Sequence, residues 1–155
     1  MKESPIRSKE TLRLWLRMLP CVNMVEQILR ARFREHYGMS LPQFDVMAQL
    51  GRSKTPQTMS ELSRHLVVSS GNVTGLVDRL VKSGCVIREP SETDRRVQYV
   101  KLTEKGHNEL EDMAKAHEIW LTEIFHVLSD DELAESNRRL MRVKASLLQF
   151  SEIRT

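Results

Sequence analysis

Cysteine is scarce in this chain: Cys21 and Cys85 are the two present among 155 residues. Two cysteines so far apart do not form the disulfide framework of a small secreted domain. Long hydrophobic runs are missing as well, and none approaches the ~20 residues that a membrane-spanning helix needs. The N-terminal residues are charged and include no apolar signal-peptide region, so the chain is expected to stay in the cytoplasm. His36, His65, His107, His117 and His126 show no compact ligand spacing with Cys, Asp or Glu, so no metal site is expected. There is no phosphate-binding glycine loop, no nucleophile elbow and no pair of catalytic carboxylates. Ser63-Arg64-His65 falls on one helix, where consecutive residues do not face each other. The sequence therefore predicts neither an enzyme nor a cofactor. It also has no internal repeat and no low-complexity segment.

What the chain does contain is an uneven distribution of charge. Hydrophobic residues make up 40% and charged residues 29%, the balance of a globular protein, and the net charge is +3. Residues 1–40 carry eight Lys and Arg against four Asp and Glu, residues 41–106 ten against seven, and residues 107–155 six against ten. The front and middle are basic and the tail is acidic. A basic surface suits a nucleic-acid partner, although charge of this size does not decide the matter.

Hydrophobic periodicity divides the chain into five or six helices and one short β excursion. The first helix is expected from about Lys9 to Glu35, with a broad apolar stripe that includes Leu12, Trp15, Leu19, Val22, Ile28 and Phe33. Pro20 is expected to kink it or split it in two. A second helix starts near Pro42 and carries Phe44, Met47 and Leu50. Arg52 to Gln57 reads as a polar loop. Thr58 followed by Glu61 forms a capping box for a short third helix, with Met59, Leu62 and Leu66 inward. Beyond a fourth helix that ends at Ser83-Gly84, the β-prone runs Cys85–Arg88 and Val97–Leu102 read as a hairpin with a charged tip. Thr103 caps a long helix, and Ser129 with Glu132 caps a last one.

The fourth helix is the most informative. Val73, Leu76, Val77 and Leu80 recur at helical spacing and form a face that docks on a core. The opposite face offers Ser69, Ser70, Gly71, Asn72, Thr74 and Gly75, with Arg79 a turn further on. Short donors and acceptors with two glycines suit a helix whose backbone approaches another molecule closely, such as base edges in a DNA major groove. Two short helices joined by a tight turn and followed by a hairpin give the order helix–turn–helix–wing. Arg64, Arg79 and Lys82 are candidates for phosphate contacts.

Val73-Thr74, Leu76-Val77-Asp78-Arg79-Leu80, Ser83-Gly84, Thr93-Asp94-Arg95-Arg96 and Val100-Lys101-Leu102-Thr103-Glu104-Lys105-Gly106 together resemble the MarR family of bacterial winged-helix regulators. The ordered set spans about Thr58 to Gly106, and the flanking long helices also match. The resemblance implies a mainly α fold with a small β-hairpin: a winged helix-turn-helix lobe over residues 41–106, and a dimerisation lobe formed by residues 1–40 and 107–155. It further implies a homodimer on a pseudo-palindromic operator of double-stranded DNA, usually as a repressor. In such proteins the wing Asp orients an Arg that enters the minor groove, which by motif match makes them Asp94 and Arg96, with Arg95 adjacent.

The first and last helices carry more apolar surface than the winged core can cover, so Trp15, Leu19, Val22, Leu133, Leu140 and Leu147 are candidates for the subunit interface. A small-molecule effector is expected where the two lobes meet, and Trp15, Arg17, Met18, Cys21, Phe44 and Met47 supply methionines, aromatics and one cation there. These suit an aromatic acid or its coenzyme A thioester. Arg13-Leu14-Trp15-Leu16-Arg17 and Leu41-Pro42-x-Phe44-Asp45 also resemble members of the family that control aromatic-acid catabolism. Cys21 keeps a redox-sensing repressor open as an alternative, and a protein-interaction module without DNA is the alternative from a different class.

Overall fold

The computed structural model of the chain describes residues 5–66 and 73–152. Its elements run α1 (Pro5–Tyr37), α2 (Leu41–Arg52), β1 (Gln57–Thr58), α3 (Met59–His65), α4 (Val73–Lys82), β2 (Val86–Pro90), β3 (Gln98–Leu102), α5 (Glu104–Ile124) and α6 (Asp130–Glu152). This is a mainly helical, winged helix-turn-helix architecture. The chain separates into two compact units, Met1–Glu118 and Ile119–Thr155. Among the described residues no helix is long and apolar enough to cross a membrane.

Pro20 does not split the first helix, which runs as a single element of 33 residues with the proline inside it. Proline removes one intrahelical donor. Here the residue is exposed and so is Leu16, whose carbonyl loses that donor, so solvent can take its place. The next helix begins slightly earlier than its proline suggests. Ser40 caps α2 by accepting the Gln43 N–H at 3.3 Å, while Gln43 Oε1 accepts the Ser40 N–H at 3.0 Å. Pro42 then occupies the first turn, where its missing donor costs nothing. The expected capping boxes at Thr58–Glu61 and Ser129–Glu132 both form.

The sheet departs from the expected single hairpin. Three antiparallel strands lie in the order β1-β3-β2. Gln57, taken above as the end of a polar loop, and Thr58, the cap of α3, pair with Val100 and Tyr99. Two residues are too few to show alternation, so this strand leaves no periodic trace in the sequence. The hairpin pairs Val86 with Leu102 through to Pro90 with Gln98. Pro90 is tolerated because β2 is an edge strand and its missing donor interrupts no further ladder.

The core of the first unit is built from Phe33, Val46, Met47, Leu62, Val77, Leu80, Val86, Val100 and Met113, all fully buried. Phe33 stacks on Phe44 with ring centroids 4.6 Å apart, and the His117 ring from α5 makes a T-shaped contact with Phe44 at a centroid distance of 5.1 Å. That burial pushes the imidazole below its ordinary pKa, which favours the neutral ring.

The end of α4 is locked to the start of α5. Gly84 adopts a φ of 77°, and the Gly84 and Cys85 N–H groups close back on the carbonyls of Val81 and Leu80 at 3.0 Å each, a Schellman turn. Thr103 Oγ1 donates to the Gly84 carbonyl at 2.6 Å and accepts the Gly106 N–H at 3.0 Å. A Cβ on Gly106 would lie 2.0 Å from the Cys85 carbonyl oxygen, so no side chain fits there. The Leu-Thr-x-x-Gly pattern thus has a physical reason: it seats the first turn of α5 against the chain leaving α4.

Candidate nucleic-acid interface

The inner face of α4 is Val73, Val77 and Leu80, all buried, and this anchors the helix on the core. Its outer face presents Thr74, Arg79 and Lys82 to solvent, with Gly75 partly covered. Arg64 is exposed in the last turn of α3. Of the other residues assigned to DNA contact, Ser69, Ser70, Gly71 and Asn72 lie outside the described residues, as does the tight turn expected before them.

Asp94, Arg95 and Arg96 are exposed at the wing. The loop that carries them is ordered by its own short side chains. Ser91 N–H donates to the Val97 carbonyl at 2.9 Å and closes the loop, while Ser91 Oγ accepts the Thr93 N–H at 3.3 Å. Asp94 engages Arg96 through the latter's backbone. Its Oδ1 accepts the backbone N–H of Arg96 at 2.9 Å, and its carbonyl accepts the Val97 N–H at 2.9 Å. An aspartate reaches the N–H two residues on more readily than a long guanidinium, the usual geometry of an Asx turn. Asp94 therefore aims the backbone that bears Arg96, and among the described residues the guanidinium is unengaged.

The wing and α4 are tied by a residue that sequence reading passed over. Arg88 on β2 pairs with Asp78 on α4 at 2.7 Å, and its Nη2 reaches the Thr74 carbonyl at 3.4 Å. The pair is partly exposed and adds little to stability on its own, but it fixes the angle between hairpin and helix. Alternation along β2 places Arg88 on the same face as the buried Val86, and an inward-facing arginine on a strand needs a partner. That was the available signal. The Thr74, Arg88 and Arg96 side chains line one cleft of about 400 Å³ between the start of α3, α4 and the wing.

The residues proposed for an effector differ in burial. Phe44 and Met47 are buried in the core, where Phe44 is taken up by Phe33. Trp15, Arg17 and Cys21 are exposed on α1, with Met18 partly covered. Of the two cysteines, Cys85 is buried and its thiol donates to Glu109 at 3.1 Å. Burial foremost, with the Glu109 carboxylate adding to it, pushes that thiol above its ordinary pKa and away from the reactive thiolate.

Comparison with known proteins agrees with this geometry. Residues 37–97 match the description MarR family. The chain is 28% identical to the HTH-type transcriptional regulator MhqR of Bacillus subtilis (strain 168), over 92% of this chain and 97% of that protein. Among solved structures, a MarR family transcriptional regulator from Silicibacter pomeroyi is similar at 33% identity and a TM-score of 0.79, covering 94% of this chain and 99% of that one. Sco3205 from Streptomyces coelicolor, a MarR family regulator solved in complex with DNA, shares the fold at 24% identity and a TM-score of 0.78, covering 96% and 92%.

Proposed function

This chain belongs to the MarR family of winged-helix transcriptional regulators, and we propose that it reads operator DNA as a homodimer. Members of that family regulate transcription and are not enzymes. In this reading α4 enters the major groove, its outer face turned to the bases, while the wing carries Arg96 to the neighbouring minor groove. A two-fold dimer sets two such helices about one DNA turn apart, which calls for a pseudo-palindromic site. Regulation is repression, relieved when the dimer leaves the DNA.

The observation that carries the DNA half is the cleft shared by Thr74 of α4 and Arg96 of the wing, braced by Arg88. It brings Thr74 of α4 side by side with a guanidinium that is unpaired among the described residues. The DNA-bound Sco3205 offers a precedent within the same fold. Support for the dimer comes from the apolar side chains exposed along α1 and α6.

The test is a titration of wild type and Arg96→Ala on the promoter beside the protein's own gene at fixed salt. Arg96→Ala is expected to bind about tenfold or more weakly, a loss of about 1.4 kcal/mol, with an unchanged melting temperature. Equal affinity removes Arg96 from the mechanism, and absence of any shift with wild type favours the protein-interaction alternative. Exposure of Cys21 favours one second reading, oxidant sensing. Peroxide that releases wild type and Cys21→Ser equally from DNA would discard it.

A further inference from the structure

One ion pair reaches from the wing to α4, and neither of its residues is among those assigned to DNA contact. Arg88 of β2 sets Nη1 on Asp78 Oδ1 at 2.7 Å and turns Nη2 to the Thr74 carbonyl at 3.4 Å. Thr74 and Asp78 are one helical turn apart, so a single planar guanidinium touches α4 at two levels. Two points of contact fix direction as well as distance. A lysine ammonium in this place would keep the charge and lose the fork.

The hairpin has reason to be held on this side. On one edge β3 is paired with β1 at Val100 and Tyr99, whereas β2 is the edge strand and faces α4 through Arg88. Beyond Arg88 the ladder runs out to Pro90 and Gln98, and Arg96 stands two residues further, in the loop. At a rise of 3.3 Å per residue the loop reaches as far as ~13 Å beyond the brace. A tilt of about 15° there would carry Arg96 about 3 Å, half the ~6 Å width of a minor groove.

The charge on Asp78 also needs a reason. It is a half-exposed carboxylate on the helix that presents Thr74, Arg79 and Lys82, and a carboxylate beside DNA repels phosphate. Arg88, in turn, is only 26% exposed and already paired, which makes it a poor free cation for a phosphate.

We propose that Arg88 and Asp78 are positioning residues for DNA binding. Their contact holds the wing at the angle at which Arg96 reaches the minor groove while α4 occupies the major groove. This rests on the DNA reading above and adds two residues to it.

The experiment is a fluorescence-anisotropy titration of the full chain on the promoter beside its own gene, at fixed salt. Asp78→Ala removes a negative charge, which by charge alone tightens binding. Loss of the brace does the reverse, and binding about tenfold weaker is expected. Arg88→Lys should weaken binding by about as much, although the charge is kept. Arg96→Ala, expected to cost about tenfold in the wild type, should cost less than about twofold once Asp78 is alanine, because its guanidinium is already displaced. Melting temperatures should hardly move, since a partly exposed pair adds little to stability. Full affinity in Asp78→Ala or Arg88→Lys, or the whole cost of Arg96→Ala in both backgrounds, would overturn the proposal and leave the DNA reading standing. A wild type that does not bind, or that binds equally well without Arg96, would bring down that reading and this inference with it.

Discussion

Two surfaces of this molecule are left uncovered within the chain, and they are opposite in character. Around α4 and the wing the exposed groups include four cations, Arg79, Lys82, Arg95 and Arg96, standing over a floor of buried Val77, Leu80, Val86 and Val100. Along the N-terminal half of α1 the exposed groups include a run of hydrocarbon: Trp15 is 56% exposed, Leu19 44% and Val22 54%. On α6, taken by itself, Leu140 and Leu147 are likewise exposed. An apolar stripe at helical spacing is present in both α1 and α4, yet one stripe is consumed inside the chain and the other is not. Charge over a rigid floor fits a polyanion, and bare hydrocarbon fits another protein surface.

The comparison breaks most sharply where the floor is removed. Leu80→Ala should cost about 2–5 kcal/mol of folding stability, because the side chain is fully buried and its loss leaves a cavity under α4. Urea unfolding measures this, and a loss near zero would mean that the floor is not what holds α4. The exposed stripe should respond differently. Trp15→Glu with Leu19→Glu is expected to leave a folded chain that sediments as a monomer and binds the operator about a hundredfold more weakly, since two linked half-sites become two separate ones. A variant that stays dimeric would clear this stripe of the interface. A monomer with full affinity would remove the dimer from the mechanism.

Both surfaces were legible in the sequence because each rests on a repeated spacing. The α4 stripe, the capping boxes at Thr58 and Ser129 and the turn at Gly84 all follow from local chemistry that needs no distant partner. Three features were not legible, each for a non-local reason. β1 is two residues long and exists only because β3 lies beside it. Arg88 gains its meaning from Asp78, which is on another element. Asp94 could hold either the Arg96 side chain or its backbone, and only the loop geometry chooses the backbone. Pro20 teaches the converse, since a strong local signal is overridden in a long helix exposed at that point.

A smaller effect probes where α1 passes from the exposed stripe into the core. Leu29 and Phe33 are buried there, and Asp45 of α2 faces the same stretch. Burial first and Glu26 second push the Asp45 carboxyl from its ordinary 3.8 up to about 6, against the pull of Arg30 and Arg52. A carboxyl raised in this way contributes stability that is fully present below pH 3.8 and is lost as the pH rises through about 6. Asp45→Asn, which stays neutral, should therefore be more stable than wild type at neutral pH. The gain is about 1 kcal/mol once solvent screening is allowed for, and it should vanish toward pH 4. Melting curves at the two pH values check it; a difference that does not change with pH would remove Asp45 from the account.

The smallest effect separates charge that faces DNA from charge that merely decorates a helix. Lys82 is exposed in the last turn of α4, beneath the face assigned to the groove. Lys115 is equally a surface lysine, but it sits on α5 and is paired with Glu111 at 2.7 Å. If Lys82 neutralises one phosphate, Lys82→Gln releases one counterion fewer, and the slope of log affinity against log salt should flatten by about 0.9. Lys115→Gln should leave that slope unchanged, although both variants lose the same formal charge. Equal flattening in the two would mean that binding senses only the net charge of the chain, and the charged surface would then lose its claim to be a specific face. A change confined to Lys82 would place the phosphate contact at the end of α4, where the charged surface and its buried floor meet.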